Sequence, residues 1–524
     1  MPRFIPLNYQ QNSMVIINYL DQLQPGTFEY AIHHLIDEKL DLSVFYPKYQ
    51  NDATGRPAYD PSALLKIILF AYSKGITSSR EIEWCCDTNV IFKALSCDSV
   101  PHFTTIAGFV SGRKKEVESV FEQVLLICHT QGLLGNELFA IDGCKMSSNA
   151  SKEWSGTFKE LEEKRDKLKR QIRYQMDQHE KLDKCESVDE VRKQRTAQTI
   201  DTLNKAHDKI NAFLKEADAA PRMGTGKRPQ EVKSNITDNE SAKMTTSKGT
   251  IQGYNGVAAV DKKHQVIVDA QVFGSGQEHH TLQPVLESIR ARFKRLAISD
   301  DILKAQTIIT ADTGFANEAN NEYLHDNDIN AYIPDNQFRS RGPKFNEQKK
   351  KYGKRHQDNK VNKVALIPAN EFNFDPINMT CVCPMGEAMW ESWRRSEASG
   401  GTRICFEGKI RACRGCEKKH QCLRNPASPD KPKGHGRLVS FLIDDKPRPP
   451  NYTDWMKLRV DSPKGKQIYS HRMSVVEPVF GNIGTNKNLK RFSLRGKAKV
   501  QGQWYLFCLI HNIEKLKNYG QLAA

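Results

Sequence analysis

A change of hydrophobic period limits what this 524-residue chain can become. Up to residue 135 the apolar residues recur at helical spacing. From 136 to 150 (NELFAIDGCKMSSNA) a short apolar strand, Leu138–Ile141, ends at Asp142 and a glycine turn. A long helical hairpin then intervenes. Phe158, Leu161, Leu168, Ile172 and Leu182 hold a heptad frame, a polar joint spans Asp183–Ser187, and a second helix over 188–215 carries Ile200, Leu203, Ile210 and Leu214. The polar, Gly/Lys/Thr-rich stretch 219–248 reads as a loop returning to the core. Strand-like runs follow at 251–260, 264–273 and 307–311, with helices over 281–298 and 316–325 and a last strand at 331–334. Strand, inserted arm, two strands, helix, strand, helix, strand is the order of an α/β domain with a mixed sheet.

The first 135 residues predict short helices joined by tight turns. Asp60-Pro61-Ser62 opens one over Leu64–Ala71. Ser78 and Glu81 form a capping box for another, Ile82 to about Leu95, and Arg113, Lys114 and Lys115 lie between two more. The layout resembles a helix-turn-helix.

Charge narrows the partner. Lys plus Arg exceed Asp plus Glu by 78 to 62, a formal +16. Residues 339–363 hold ten Lys or Arg against two acids, and no acid falls between Pro478 and Ile513, where Lys487, Lys490, Arg491, Arg495, Lys497 and Lys499 lie. Two separated basic stretches point to a polyanion such as nucleic acid. No window approaches the roughly 18 apolar residues of a membrane helix, and the N-terminus has no apolar leader, so the expectation is a cytosolic protein without membrane contact.

Two acids stand at the carboxyl ends of predicted strands: Asp142 in AIDGCK and Asp312 in TADTGF. A third, Glu477, lies on a predicted helix in YSHRMSVVEPVFGNIG. Acids at two strand ends and one helix can converge on a pair of divalent cations that promote in-line displacement at a phosphodiester, and hard oxygen ligands suit Mg²⁺. His279 and His280, just before a helix, read as capping or surface residues.

These segments resemble bacterial insertion-sequence transposases of the DDE type, which have a ribonuclease-H-like catalytic core. DGCKMSSNAS (142–151) is similar to the family's DGTK…NAS segment, ADTGF (311–315) to its second-Asp motif, and SVVEPVFGNI (474–483) with RGKAKVQGQWYLFCLIHNIEKL (495–516) to its third-acid and closing helices. Residues 56–125 resemble the family's N-terminal helical domain. The resemblance implies that Asp142, Asp312 and Glu477 hold two Mg²⁺ (or Mn²⁺) ions. These would serve cutting of DNA at the element's ends and joining of the 3′-hydroxyls to target DNA. It implies double-stranded DNA (terminal inverted repeats and target) as partner, a homodimer in the DNA complex, and a place in the bacterial cytosol with the nucleoid. Cys144 stands where the family usually has Thr. Tyr469 and Arg472 resemble a Tyr and Arg that precede the Glu, although Arg472 to Glu477 is one residue longer than expected, and Gly484 falls where a Lys is common, leaving Lys487 or Lys490 for phosphate contact. With these, Lys349, Lys350, Lys351, Lys354, Arg355, Arg491 and Arg495 are the expected DNA contacts.

Six of the 13 cysteines fall between 381 and 422. Cys413-Arg-Gly-Cys416 with Cys422 has knuckle-like spacing, and Cys383-Pro can supply a fourth thiolate to a structural Zn²⁺, with Cys381 and Cys405 as alternatives. The organisation expected is an N-terminal helical DNA-binding domain (1–135), a ribonuclease-H-like core (136–155, 225–338 and 440–524), a hairpin arm with its linker (156–224) and a basic, Cys-rich insertion (339–439). Two rivals remain: a stand-alone Mg²⁺-dependent nuclease, and a non-catalytic zinc-containing DNA-binding protein derived from a transposase.

Overall fold

The computed structural model describes residues 16–49, 57–183, 190–216, 222–224, 230–247, 249–342, 366–396, 401–443 and 451–522. They fall into two units: residues up to 336 together with 456 onward, and residues 337–455.

The first unit begins with helices α1 (Phe28–His34), α2 (Pro61–Ser73), α3 (Ser79–Thr88), α4 (Val90–Ser96), α5 (Phe103–Gly112) and α6 (Lys114–Thr130). The Asp60 side chain caps α2 by accepting from the Ser62 N–H at 2.7 Å, with Pro61 in the first turn, as its sequence predicts. The next helix differs from expectation. Ser78 occupies the N-cap of α3 without a side-chain cap bond, and the helix breaks at Asn89, whose extended backbone and side-chain oxygen start α4.

Strand β1 (Leu138–Ser147) leads to the hairpin helices α7 (Phe158–Asp183) and α8 (Glu190–Lys215), where Leu161, Ile210 and Phe213 pack with Trp154 and Ile236. Then come β2 (Ala242–Thr246), β3 (Gly249–Asp261), β4 (Ile267–Phe273), α9 (Leu282–Arg295), β5 (Ile308–Ala311), α10 (Glu318–Asp326) and β6 (Ala331–Tyr332). β2 corrects the expected loop: Ala242 and Met244 are buried while Lys243 and Thr245 face outward, a period of two hidden in a polar stretch. The sheet order is β6-β5-β1-β3, with β6, β5 and β1 parallel and β3 antiparallel to β1. The far edge of β3 carries β2 along Gly249–Gly253 and β4 along Asn255–Val260.

The second unit holds an antiparallel sheet of β7 (Asn373–Asp375), β8 (Thr380–Val382), β9 (Ala388–Ser396), β10 (Thr402–Glu407) and β11 (Leu438–Ile443), with the short helices α11 (Ile410–Arg414) and α12 (Lys419–Cys422) between the last two strands. Its core is Ile367, Phe372, Cys381, Met389, Ile404, Phe406 and Val439. β11 thus pairs within this sheet, whereas its residues from 440 on were expected in the catalytic core.

The chain returns to the first unit as α13 (Pro463–Gly481) and α14 (Lys497–Tyr519). α14 is buried along most of its length, and its polar residues are placed by the sheet edge it covers. Gln501 bonds the backbone of Val272 and Ala270, and Asn512 bonds both the N–H and C=O of Ile267. An open strand edge would otherwise leave those groups unpaired. No described helix is long and apolar enough to cross a membrane.

Candidate active site

Asp142 lies within β1, not at its end. The parallel ladder to β5 stops at Ile141 and Ala311, while the antiparallel ladder to β3 runs on to Ser147. The expected glycine turn is therefore continued strand, kept in register by pairing and by buried Met146. Where β5 ends, the next residue is Asp312, at the N-cap of a short turn over Thr313–Phe315. The two aspartates thus meet at the point where β1 loses its parallel neighbour, a place where open α/β sheets present ligand-binding side chains.

Arg472 of α13 joins them. Its Nη1 donates to Asp142 Oδ2 at 2.9 Å and its Nη2 to Asp312 Oδ1 at 3.2 Å; Asp142 Oδ1 accepts from the Gly143 N–H at 2.8 Å. Burial pushes the Asp142 carboxyl above the usual carboxylate range; Arg472 and the Gly143 N–H pull it down, and the Asp312 charge pushes it further up.

Glu278, in the turn between β4 and α9, is a third acid at this place, and sequence reasoning passed over it in favour of the neighbouring histidines. Burial and then the charge of Asp142 push its carboxyl up; Lys145 and the Asn255 amide act the other way, and Asp312 adds to the push. The only signal available was its position in a polar turn straight after a strand. Cys144 stays a neutral thiol, its pKa raised by burial and by Asp142 and Glu278.

Glu477 is exposed on α13 and among the described residues makes no hydrogen bond or ion pair. It lies five residues beyond Arg472, about 140° around and ~7.5 Å along the helix, so the side chain that reaches the aspartates here is Arg472. Pro478 inside α13 has no N–H for the Ser474 carbonyl, which instead accepts from Gln265 Nε2 at 3.0 Å, fixing the Glu477 turn to the β3–β4 connection. No three His, Cys, Asp or Glu side chains among the described residues already stand at metal-holding spacing. Even so, the chemistry of the donors fits a hard divalent cation. Carboxylates outnumber the single guanidinium, two of them are held above their ordinary pKa, and the Oδ1 of buried Asn255 has no hydrogen-bond partner.

The expected DNA contacts divide. Arg472 and Lys487 are corrections: both are buried, Arg472 committed to the aspartates and Lys487 to Glu514. Tyr469 is half-buried under the Arg472 guanidinium, 5.8 Å from its ring centre. Lys490, Arg491 and Arg495 are exposed. Arg491 bonds the Asn149 side chain, Arg495 Nε donates to the Asn149 carbonyl at 2.6 Å, and the Phe492 N–H donates to the Ser147 carbonyl, so this basic loop lies along the far end of β1. Lys349, Lys350, Lys351, Lys354 and Arg355 lie outside the described residues.

In the second unit Cys383, Cys413, Cys416 and Cys422 line one cavity of about 300 Å³. Burial pushes the Cys422 thiol up, Arg437 pulls it down, and the other three cysteines add to the push, although no three thiols stand at ligand spacing. Cys413 Sγ is packed against backbone: a Cβ on Gly408 would sit 2.9 Å from it. Its pKa is also raised by burial, and the Arg437 N–H bonded to it favours the thiolate. Cys381 and Cys405 are buried apart, Cys381 in the apolar core and Cys405 bonded to the Phe406 carbonyl. Four thiols on one cavity are the soft donor type that a structural Zn²⁺ takes.

What these elements define is a mixed α/β protein in which two strand-borne aspartates are tied to a helix from far along the chain. Residues 382–517 match the transposase DDE domain family, and residues 18–112 match a transposase domain family (DUF772). Together these two matches, neither of which spans half of the chain, support an insertion-sequence transposase of the DDE type. A search of curated proteins gives no match.

Proposed function

We propose that this transposase cuts DNA at the ends of an insertion sequence and joins the freed 3′-hydroxyls to target DNA, on a ribonuclease-H-like core. The observation that carries this reading is the convergence of Asp142, Asp312 and α13, joined by Arg472 across 330 and 160 residues of sequence. Asp142 and Asp312, with Glu477 from the same helix, would hold the divalent ions. Mg²⁺ or Mn²⁺ at such acids supplies Lewis-acid stabilisation of a phosphodiester's attacking and leaving oxygens. The chain's own groups do the rest. Arg472 holds the aspartates in place and offsets their repulsion. Lys490, Arg491 and Arg495 present positive charge to the DNA backbone, and the α2–α6 helices supply the surface for reading terminal repeats. The cysteine unit is a Zn²⁺-braced insertion whose role is folding.

Incubating the protein and Mg²⁺ with pre-cut terminal DNA and a target plasmid tests the reading. Joined product is the expected result; cleavage without joining would leave a stand-alone nuclease. DNA binding that Asp142→Asn leaves intact, with no Mg²⁺-dependent cleavage by the unmodified chain, would leave a non-catalytic binding protein.

A further inference from the structure

We propose that Glu278 is a further carboxylate ligand of the divalent ions at Asp142 and Asp312, seated by the two glycines that follow those aspartates. The inference rests on the reading above that these two aspartates bind metal.

Glu278 occupies space that side chains at Gly143 and Gly314 would fill. A Cβ on Gly143 would lie 3.0 Å from its Oε1, and a Cβ on Gly314 2.2 Å from its Oε2. Neither glycine has a positive φ, so backbone conformation does not call for glycine at either position. Room for this carboxylate does at Gly314, and room for it together with the still closer Asn255 amide does at Gly143. The DG of AIDG and the DTG of ADTG thus both leave space beside their aspartates that a third acid enters.

Its backbone is held there from both sides. The Glu278 carbonyl accepts from the Thr281 N–H at 3.0 Å and the Thr281 hydroxyl at 2.8 Å. The next carbonyl, that of His279, accepts from Asn317 Nδ2 at 3.0 Å and Asn320 Nδ2 at 2.9 Å, both in the segment that leaves Asp312. Five residues beyond Asp312, the chain therefore turns back to fix the acid beside it.

The surroundings call for a cation. No salt bridge reaches Glu278 among the described residues, and the guanidinium of Arg472 is already shared by Asp142 and Asp312. Asn255 is fully buried on β3. Its Nδ2 donates to Glu278 Oε1 at 3.3 Å, and its partnerless Oδ1 stands 2.7 Å from where a Gly143 Cβ would be. Buried polar atoms are normally paired. Carboxylate oxygens and an orphaned amide oxygen in one neighbourhood offer an all-oxygen donor set, which selects Mg²⁺ or Mn²⁺ over softer metals once they close on an ion.

Mn²⁺ titration of the full chain without DNA, followed by calorimetry, tests this with a readout independent of activity. Asp142→Asn and Asp312→Asn should each weaken Mn²⁺ binding by about tenfold or more. Glu278→Gln should weaken it by about tenfold or remove one ion from the stoichiometry, with the metal-free melting temperature unchanged or raised. Gly314→Ala keeps the glutamate but fills its place, and since only the end of a flexible side chain must move, it should fold and weaken Mn²⁺ in the same direction by a smaller factor. Wild-type affinity and stoichiometry in both Glu278→Gln and Gly314→Ala, with Asp142→Asn impaired, would overturn the assignment of Glu278 alone. Wild-type binding in Asp142→Asn and Asp312→Asn would overturn the reading beneath it.

Discussion

The carboxylate floor and the cysteine cavity are opposite ways of bringing donor atoms together. The acids Asp142, Glu278 and Asp312 come from a strand and two turns spread over about 170 residues of sequence, and burial raises Asp142 and Glu278 while their like charges oppose ionisation. The thiols come from one stretch, Cys383 to Cys422, on turns and short helices beside a small apolar core. Local donors with soft atoms suit a brace that forms as its own unit folds. Hard donors assembled by the whole sheet carry a shortage of positive charge into the finished structure, which is the condition for taking up a cation.

The largest expected separation between the two is in catalysis. Asp142→Asn or Asp312→Asn should lower strand cleavage by about three orders of magnitude, ~4 kcal/mol of transition-state stabilisation, with DNA affinity by fluorescence anisotropy changed by less than about threefold. Replacing Cys413 and Cys416 by Ser should instead abolish bound zinc by elemental analysis and cost about 3 kcal/mol or more of the second unit's stability, seen as new proteolysis within 366–443. Cleavage lost in the cysteine variant while its second unit stays protease-resistant would break the division.

Acid sharpens the contrast further. His511 on α14 is fully buried and neutral, with Nε2 donating to the Gln265 carbonyl at 2.9 Å, and burial pushes its pKa down to about 3. A depressed histidine stabilises the fold above its unfolded pKa near 6.5, and that stability is lost as pH falls from there toward 3. Going from pH 7 to pH 5 should cost the first unit about 2 kcal/mol, and His511→Gln should flatten that slope in chemical denaturation. The smallest effect separates two lysines three residues apart. Lys487→Met, which leaves Glu514 with the Asn482 amide but without its cation, should lower stability by about 2 kcal/mol, less than for a fully buried pair because Glu514 is partly exposed. Lys490→Ala should leave stability within about 0.5 kcal/mol and reduce the salt dependence of DNA binding by about one ion.

Much of the sheet was legible because period and turn chemistry agree: the strands around Val257, Ile267 and Ile309 and the capped start at Asp60 fall where the pattern puts them. β2 was not, because alternation of Ala242 and Met244 with Lys243 and Thr245 is drowned by polar neighbours. Asp142 and Asp312 could be read as strand-borne acids. That Asp142 sits within a strand could not, since a glycine after an aspartate signals a turn unless pairing across the sheet overrides it. Glu278 and Asn255 gain meaning only from what the fold lays over Gly143 and Gly314. Lys487 and Lys490 look alike in sequence, and only the burial of one against Glu514 tells them apart.

β1 also sets a length. From Asp142 to Ser147, where the Arg491 loop pairs, it rises about 17 Å, close to the rise of five base pairs of B-form DNA at ~3.4 Å each. A duplex laid along β1 with its scissile phosphate at the aspartates would meet Arg491 and Arg495 about half a helical turn away. The strand would then act as a ruler that fixes which phosphate is cut relative to the one that is gripped.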